Sequence, residues 1–270
     1  MKRLKSAYTM LELVFVIVIL GIISSIGAEL ITKVYEQYII QRAQYRASMK
    51  TELAALQIAN RFSSAIPGTI YRIKNDNSYE MIVTGLTGAG SDYKGIQWIG
   101  ADSESFYTST TPGWSGFIDL DASSKNTLIT KGSQLSLTDT IISKLYTGKN
   151  ISNASVFFPN QYQEHNVTSR TGNIQLDLQN VPKRTVSEHY KLAWSSYAVV
   201  VENNNLYLYY NFEPSVKHNY TQSSKKQLLL YNVSTFKFRG DAGALRFKIC
   251  KEEPISNDYN VTVCKEKAVF

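Results

Sequence analysis

After a basic MKRLKSA, the residues YTMLELVFVIVILGIISSIGA are apolar for about 20 positions, interrupted by a single carboxylate, Glu12. As a helix this run spans roughly 30 Å, the thickness of a bilayer core. Past Ala28 polar residues enter, but the helical period continues: Ile31, Val34, Tyr38, Tyr45, Met49, Leu53 and Leu56 recur at spacings of three, four or seven, one stripe on one helix. No Gly or Pro interrupts Ala28 to Ala65, so one helix is predicted from Tyr8 to Ala65, closed by Pro67 and Gly68. It would be about 87 Å long, too long to bury within one domain. Its first half must find lipid or other subunits, and its second half can pack on a sheet.

The period then changes. TIYRIK (69–74) and YEMIV (79–83) flank a turn-rich NDNS and predict a hairpin. Residues 85–95 are rich in Gly, Ser and Asp, and IQWIG and PGWSGFIDL follow as short aromatic strand or loop segments around Trp98 and Trp114. Ser136 and Asp139 ahead of Ile141, Ile142 and Leu145 have the spacing of a capping box opening a short helix, with Gly148 to close it. From Gly172 the pattern is strand after strand: NIQLDLQ, then SYAVVVE and LYLYYNF around Asn203 to Asn205 as a hairpin. KQLLLYNV, TFKFRG, ALRFKIC and NVTVCKEKAVF complete an antiparallel meander. A long helix followed by antiparallel strands predicts an α+β fold with the helix across the sheet. The chain divides into a leader (1–7), a transmembrane segment (8–28), an amphipathic continuation of the same helix (29–66) and a β-rich globular part (67–270).

Lys2, Arg3 and Lys5 precede the apolar run, which places the amino end in the cytoplasm and the globular part outside. Glu12 stands out, because an ionised carboxylate in hydrocarbon costs at least about 2.5 kcal/mol and needs a partner or a job. No cation follows it before Lys33. Cleavage after Ala7 would give Tyr8 a new amine one helical turn from Glu12, and a neighbouring copy shifted along the axis would bring its own amine to that carboxylate.

These residues resemble the type IV pilins and the pseudopilins of type II secretion systems. That family has a short basic leader, a small residue before the cut, an aromatic residue and Thr after it, and Glu at the fifth mature position. Ala7, Tyr8, Thr9 and Glu12 match here, and Gly21 matches a glycine usual in the middle of the apolar helix. The family usually has Gly where Ala7 stands, and major pilins usually have a helix-bending Pro where Glu29 stands, so this chain is closer to a minor subunit. Its size, its NRF near the helix end and its YNV to TFKF segment look similar to J-type pseudopilins and W-type minor pilins. The resemblance implies a pilin-like fold, cleavage after Ala7 by prepilin peptidase, methylation of Tyr8, and an assembly role for Glu12. It also implies partners: other pilin or pseudopilin subunits and an inner-membrane assembly platform. A secretory signal peptide cut near Ser25 to Ala28 and a plain single-pass anchor are the ordinary alternatives.

The formal charge of +7 includes the three leader cations, leaving +4 after cleavage. Lys and Arg are scattered without a dense basic stripe, so nucleic-acid binding is not indicated beyond DNA uptake as one use of such a filament. Cys250 and Cys264 fall outside the membrane. In an oxidising compartment they pair, closing a loop of about 15 residues worth about 3 kcal/mol, and the resemblance supports this over metal binding by two thiols. No cofactor and no catalytic set is indicated, and no metal site is assigned: His165, His189 and His218 are far apart, and Asp119 with Asp121 is a calcium pair without a complete loop. The tripeptide Arg239, Gly240, Asp241 is known from cell adhesion but falls where a hairpin turn is needed. Asn153, Asn166, Asn219, Asn232 and Asn260 occupy N-x-S/T patterns, with acids two residues ahead of Asn166 and Asn260. A membrane-anchored periplasmic enzyme or binding protein and a surface adhesin are the rival functions.

Overall fold

In the computed structural model, residues 9–82, 93–107, 110–161, 163–180, 185–215, 220–223, 225–241, 244–256 and 259–269 are described. The amino-terminal stretch is one helix, α1 (Met10–Phe62), roughly 80 Å long. It stops three residues short of Ala65: Ser63 closes it by donating its N–H to Ala59, and Ala65 instead bridges to Gly100. Gly68 takes the left-handed conformation (φ +80°) that turns the chain into the sheet.

The described strands follow in chain order as β1 (Tyr71–Lys74), β2 (Tyr79–Met81) and β3 (Tyr93–Gly100), then the short helix α2 (Ser103–Phe106), β4 (Thr127–Ile129) and helix α3 (Leu135–Leu145). Next come β5 (Ser155–Phe157), β6 (His165–Thr171), β7 (Gln175–Leu178), β8 (Lys191–Ala193), β9 (Ser195–Glu202) and β10 (Asn205–Phe212). β11 (Lys225–Leu230), β12 (Val233–Asp241), β13 (Ala244–Ser256) and β14 (Tyr259–Val269) complete the order. They form three antiparallel sheets, ordered β11-β10-β9-β3-β1-β2, β12-β13-β14 and β4-β7-β6-β5-β8. The α+β class and the long apolar helix are as expected, as are the NDNS hairpin and the β9–β10 hairpin. The latter turns at Asn203 and Asn204, both at positive φ, as a two-residue hairpin turn requires.

α1 lies across β13 and β14 and touches β3 and β11. Its buried face is Ala47, Thr51, Ala54, Ala55, Ile58 and Phe62. The stripe read from the sequence, Ile31 to Leu56, shares one face as its spacing predicts, but that face points outward, with exposures from 41% at Leu56 to 72% at Ile31. At 3.6 residues per turn the two sets lie roughly 155° apart on the helix. The sheets supply much of the bulk (Trp98, Phe236, Phe238, Phe247, Ile249), so the helix approaches with small residues from Ala47 to Ala55 turned toward them and with large ones, Ile58 and Phe62, in its last two turns. Glu52 ties the same helix to β14, 2.5 Å from Lys267 and 3.9 Å from Lys265.

β3 and β9 are antiparallel neighbours, with Gly95 opposite Val200 and Gly100 opposite Ser195. Residues 101–194 therefore leave and return at the two ends of one rung of the ladder. They build a lobe around their own core of Trp114, Leu128, Leu135, Ile142, Val156, Leu176 and Leu192. A small cluster of Ile66, Ile99, Phe157 and Ala193 joins the lobe to the rest.

Two local expectations are corrected. α3 forms, but Ser136 does not cap it: the N-cap is Gln134 without a side-chain bond, and Asn173 Oδ1 accepts from the Ser136 N–H. Asp139 accepts instead from the Ile151 N–H and from Arg170. The late meander is also broken, since β11 pairs with β10 in the six-stranded sheet and a turn at Asn232 (φ +54°) starts the final three-stranded sheet.

Candidate functional site

The amino-terminal half of α1 is the largest exposed apolar surface of the described residues. An 18-residue window within it has mean hydropathy 2.5 and none of it is buried; by length and composition it can cross a membrane once. Phe15, Ile17 and Ile23 are each 60% exposed. At Gly21 an added Cβ would meet nothing within 4 Å, so the smallness of this residue serves no contact among the described residues. Glu29 and Lys33 mark the polar end of the run with an exposed i,i+4 pair at 2.6 Å, a contact worth little in water.

Glu12 sits in the first turn and closes a capping box. The Thr9 N–H donates to Glu12 Oε2 at 3.1 Å and the Thr9 hydroxyl to the same oxygen at 3.2 Å, while the Glu12 N–H donates back to Thr9 Oγ1 at 3.3 Å. Spacing alone could have revealed this, because Thr9 and Glu12 fit the T-x-x-E signature ahead of an apolar run. The carboxylate thus meets the positive end of its own helix. Among the described residues no hydrogen bond reaches Oε1. Ala7 and Tyr8 lie outside the described residues.

Cys250 and Cys264 face each other across β13 and β14 and are joined as a disulfide, with Cα atoms 4.0 Å apart. The bond consumes both thiols, which closes the metal alternative for them. His165 is buried against Phe158, whereas His189 is exposed against Phe117 and 3.4 Å from Glu188; His218 is outside the described residues. Asp119 is engaged by Lys131 at 2.5 Å, whose hydrogen bond holds the Asp119 carboxyl below its usual range. Among the described residues no three His, Cys, Asp or Glu side chains gather as a metal site. Arg239, Gly240 and Asp241 are the last residues of β12, paired with Arg246, Leu245 and Ala244, so the tripeptide lies in a strand and not at the turn itself. The Asn166 side chain is held from both sides, accepting from the Ser155 hydroxyl at 2.9 Å and donating to Gln179 at 3.4 Å.

Sequence reading missed Asp102, which stands where the inserted lobe begins. It is 1% exposed, its N–H donates to Leu192 O, its carbonyl accepts from Trp114 Nε1, and its carboxylate takes the Ser105 N–H and hydroxyl. Burial pushes its pKa up to about 6 against these hydrogen bonds. The lone Asp in DSES gave no signal, because the burial comes from the lobe folding over it.

Comparison with protein-family models, with curated proteins and with solved structures finds no match.

Proposed function

We propose that this chain is a minor pilin or pseudopilin, a structural subunit that is cleaved after Ala7, anchored in the bacterial inner membrane with its amino end cytoplasmic, and assembled into a filament through α1. The supporting observation is the continuity of apolar surface along that helix. The membrane-length segment is apolar all round, and from Ile31 to Leu56 the apolar stripe continues on the side away from the sheet. Lipid covers the first part. It cannot cover the second, which stands in water unless another subunit packs there, and burying each large side chain is worth about 1.5–3 kcal/mol. The helix of a neighbouring subunit fits both parts. Glu12 Oε1 is then open to the amine of a neighbour, while Oε2 holds the helix start.

The machine is a type II secretion pseudopilus, a type IV pilus or a DNA-uptake pseudopilus, and the similarity to J-type pseudopilins and W-type minor pilins favours a place near the filament tip. Sequencing the amino end of the purified native protein is the test. A mature chain beginning at Tyr8 with its apolar segment kept is the expected result. A chain that begins after Ala28, as a cleaved secretory signal would leave it, or one that keeps its first seven residues, as a plain single-pass anchor would, overturns the reading.

A further inference from the structure

Where the inserted lobe meets the chain leaving α1, the fold keeps a cavity of about 350 Å³. It is lined by Ile66 and Pro67 from the main body and by Phe157, Phe158, Pro159 and Tyr190 from the lobe. Phe157 is 1% exposed and Phe158 and Tyr190 3%, because each ring is packed from behind: Phe157 in the cluster that joins the lobe to the rest, the other two in the lobe core. The Tyr190 N–H donates to Gly116 O at 3.0 Å, and Gly116 reaches that position at φ +78°, a conformation that other residues rarely adopt. The wall is thus preformed, and its apolar atoms lack partners on the open side.

One charge stands at this wall. Lys191 lies directly opposite Phe157 in the β5–β8 ladder, so its side chain leaves the sheet on the same face as that ring. It is exposed and lines the cavity, and among the described residues no carboxylate pairs with it. His189 lines the cavity too, with its ring on exposed Phe117 at 4.6 Å and Nε2 3.4 Å from Glu188. Glu188 itself is not a lining residue, and none of the lining residues is acidic. Asp102 borders a neighbouring cleft that Lys191 also lines, but Ser105 takes its carboxylate.

We propose that the cavity is a binding site for a small organic acid, its apolar body held among the rings and its carboxylate on Lys191, whichever way the subunit assembles. The volume lies at the low end of the roughly 300–1,000 Å³ of small-molecule sites, so it suits a compact ligand. A neutral apolar ligand would take water from the ammonium without giving it a partner, and a cation would meet Lys191 with no acid to hold it. A carboxylate removes both objections, because a hydrogen bond between charged groups is roughly twice as strong as a neutral one.

The test uses the full chain in neutral-lipid nanodiscs, with empty nanodiscs as the blank. Two probes share one body, para-fluorophenylpropanoate and para-fluorophenylpropanol, and fluorine NMR follows both. The acid should bind saturably and the alcohol at least about tenfold more weakly, the worth of one hydrogen bond to a charged group. Lys191→Gln should weaken the acid by about tenfold and the alcohol by less than about twofold, whereas Lys144→Gln, in the last turn of α3, should change neither. Because Lys191 is exposed, its substitution should keep the parent's melting temperature, which separates lost binding from lost fold. No saturable binding of the acid at millimolar concentration, equal binding of acid and alcohol, or equal losses in the two variants would each overturn the proposal.

Discussion

At Thr9 both the backbone N–H and the hydroxyl donate to one oxygen of Glu12, and a glutamine at position 12 can still accept them. Glu12→Gln therefore separates helix capping from charge. It should insert and fold as the parent does but enter filaments poorly, as measured by cross-linking of neighbouring subunits in membranes. Assembly equal to the parent's would mean that the carboxylate serves only its own helix. Asp102 offers a second single-residue test. Its folded pKa of about 6 lies above the 3.8 of an unperturbed Asp, so between these values the folded chain binds more protons than the unfolded one. Its contribution to stability is complete below about pH 4 and is lost as pH rises through 6, by about 3 kcal/mol at most. In denaturant titrations of the detergent-solubilised chain, Asp102→Asn should remove that fall and be the more stable form at pH 8.

The helix was legible as an element, and its orientation was not. Composition and spacing located α1 to within three residues at its carboxyl end and grouped Ile31 to Leu56 on one face. Which face meets the sheet depends on what the sheet supplies, and Phe236, Phe238 and Phe247 lie far away in sequence. Two substitutions make the distinction measurable. Ala55→Leu places a large side chain where the parent residue is fully buried and should cost about 1–3 kcal/mol of unfolding free energy. Leu53→Ser, on the outward face, should change stability by less than about 0.5 kcal/mol and yet weaken subunit cross-linking. The short strands β4, β5 and β8 were illegible for a related reason: each is three residues long, too short for alternation to be seen. The longer alternating strands β7, β9, β10 and β13 were read correctly.

Across the whole molecule, the globular part read from the sequence as one β-rich unit has a lobe with a core of its own, separate from the core beneath α1. β3 and β9 are separated by residues 101–194 yet hold each other as a hairpin would, and no local pattern near Gly100 or Ser195 announces that pairing. Replacing residues 101–194 with Asn-Gly, a turn suited to a two-residue hairpin, should leave α1, the disulfide and the β9–β10 hairpin in place. Circular dichroism and thiol titration of the shortened protein check this. The expected penalty is a few kcal/mol, from Ile66 and Ile99 losing the cover of Phe157 and Ala193.

The adjacency of Gly100 and Ser195 also has a mechanical side. A pull that enters through the amino-terminal rod and is resisted at the terminal strands can cross from β3 to β9 through six paired rungs, bypassing the covalent detour between them. The inserted lobe is then wired in parallel with the load and stays slack. Under stretching it would keep its shape until those rungs yield, and would then release its whole contour length in one step.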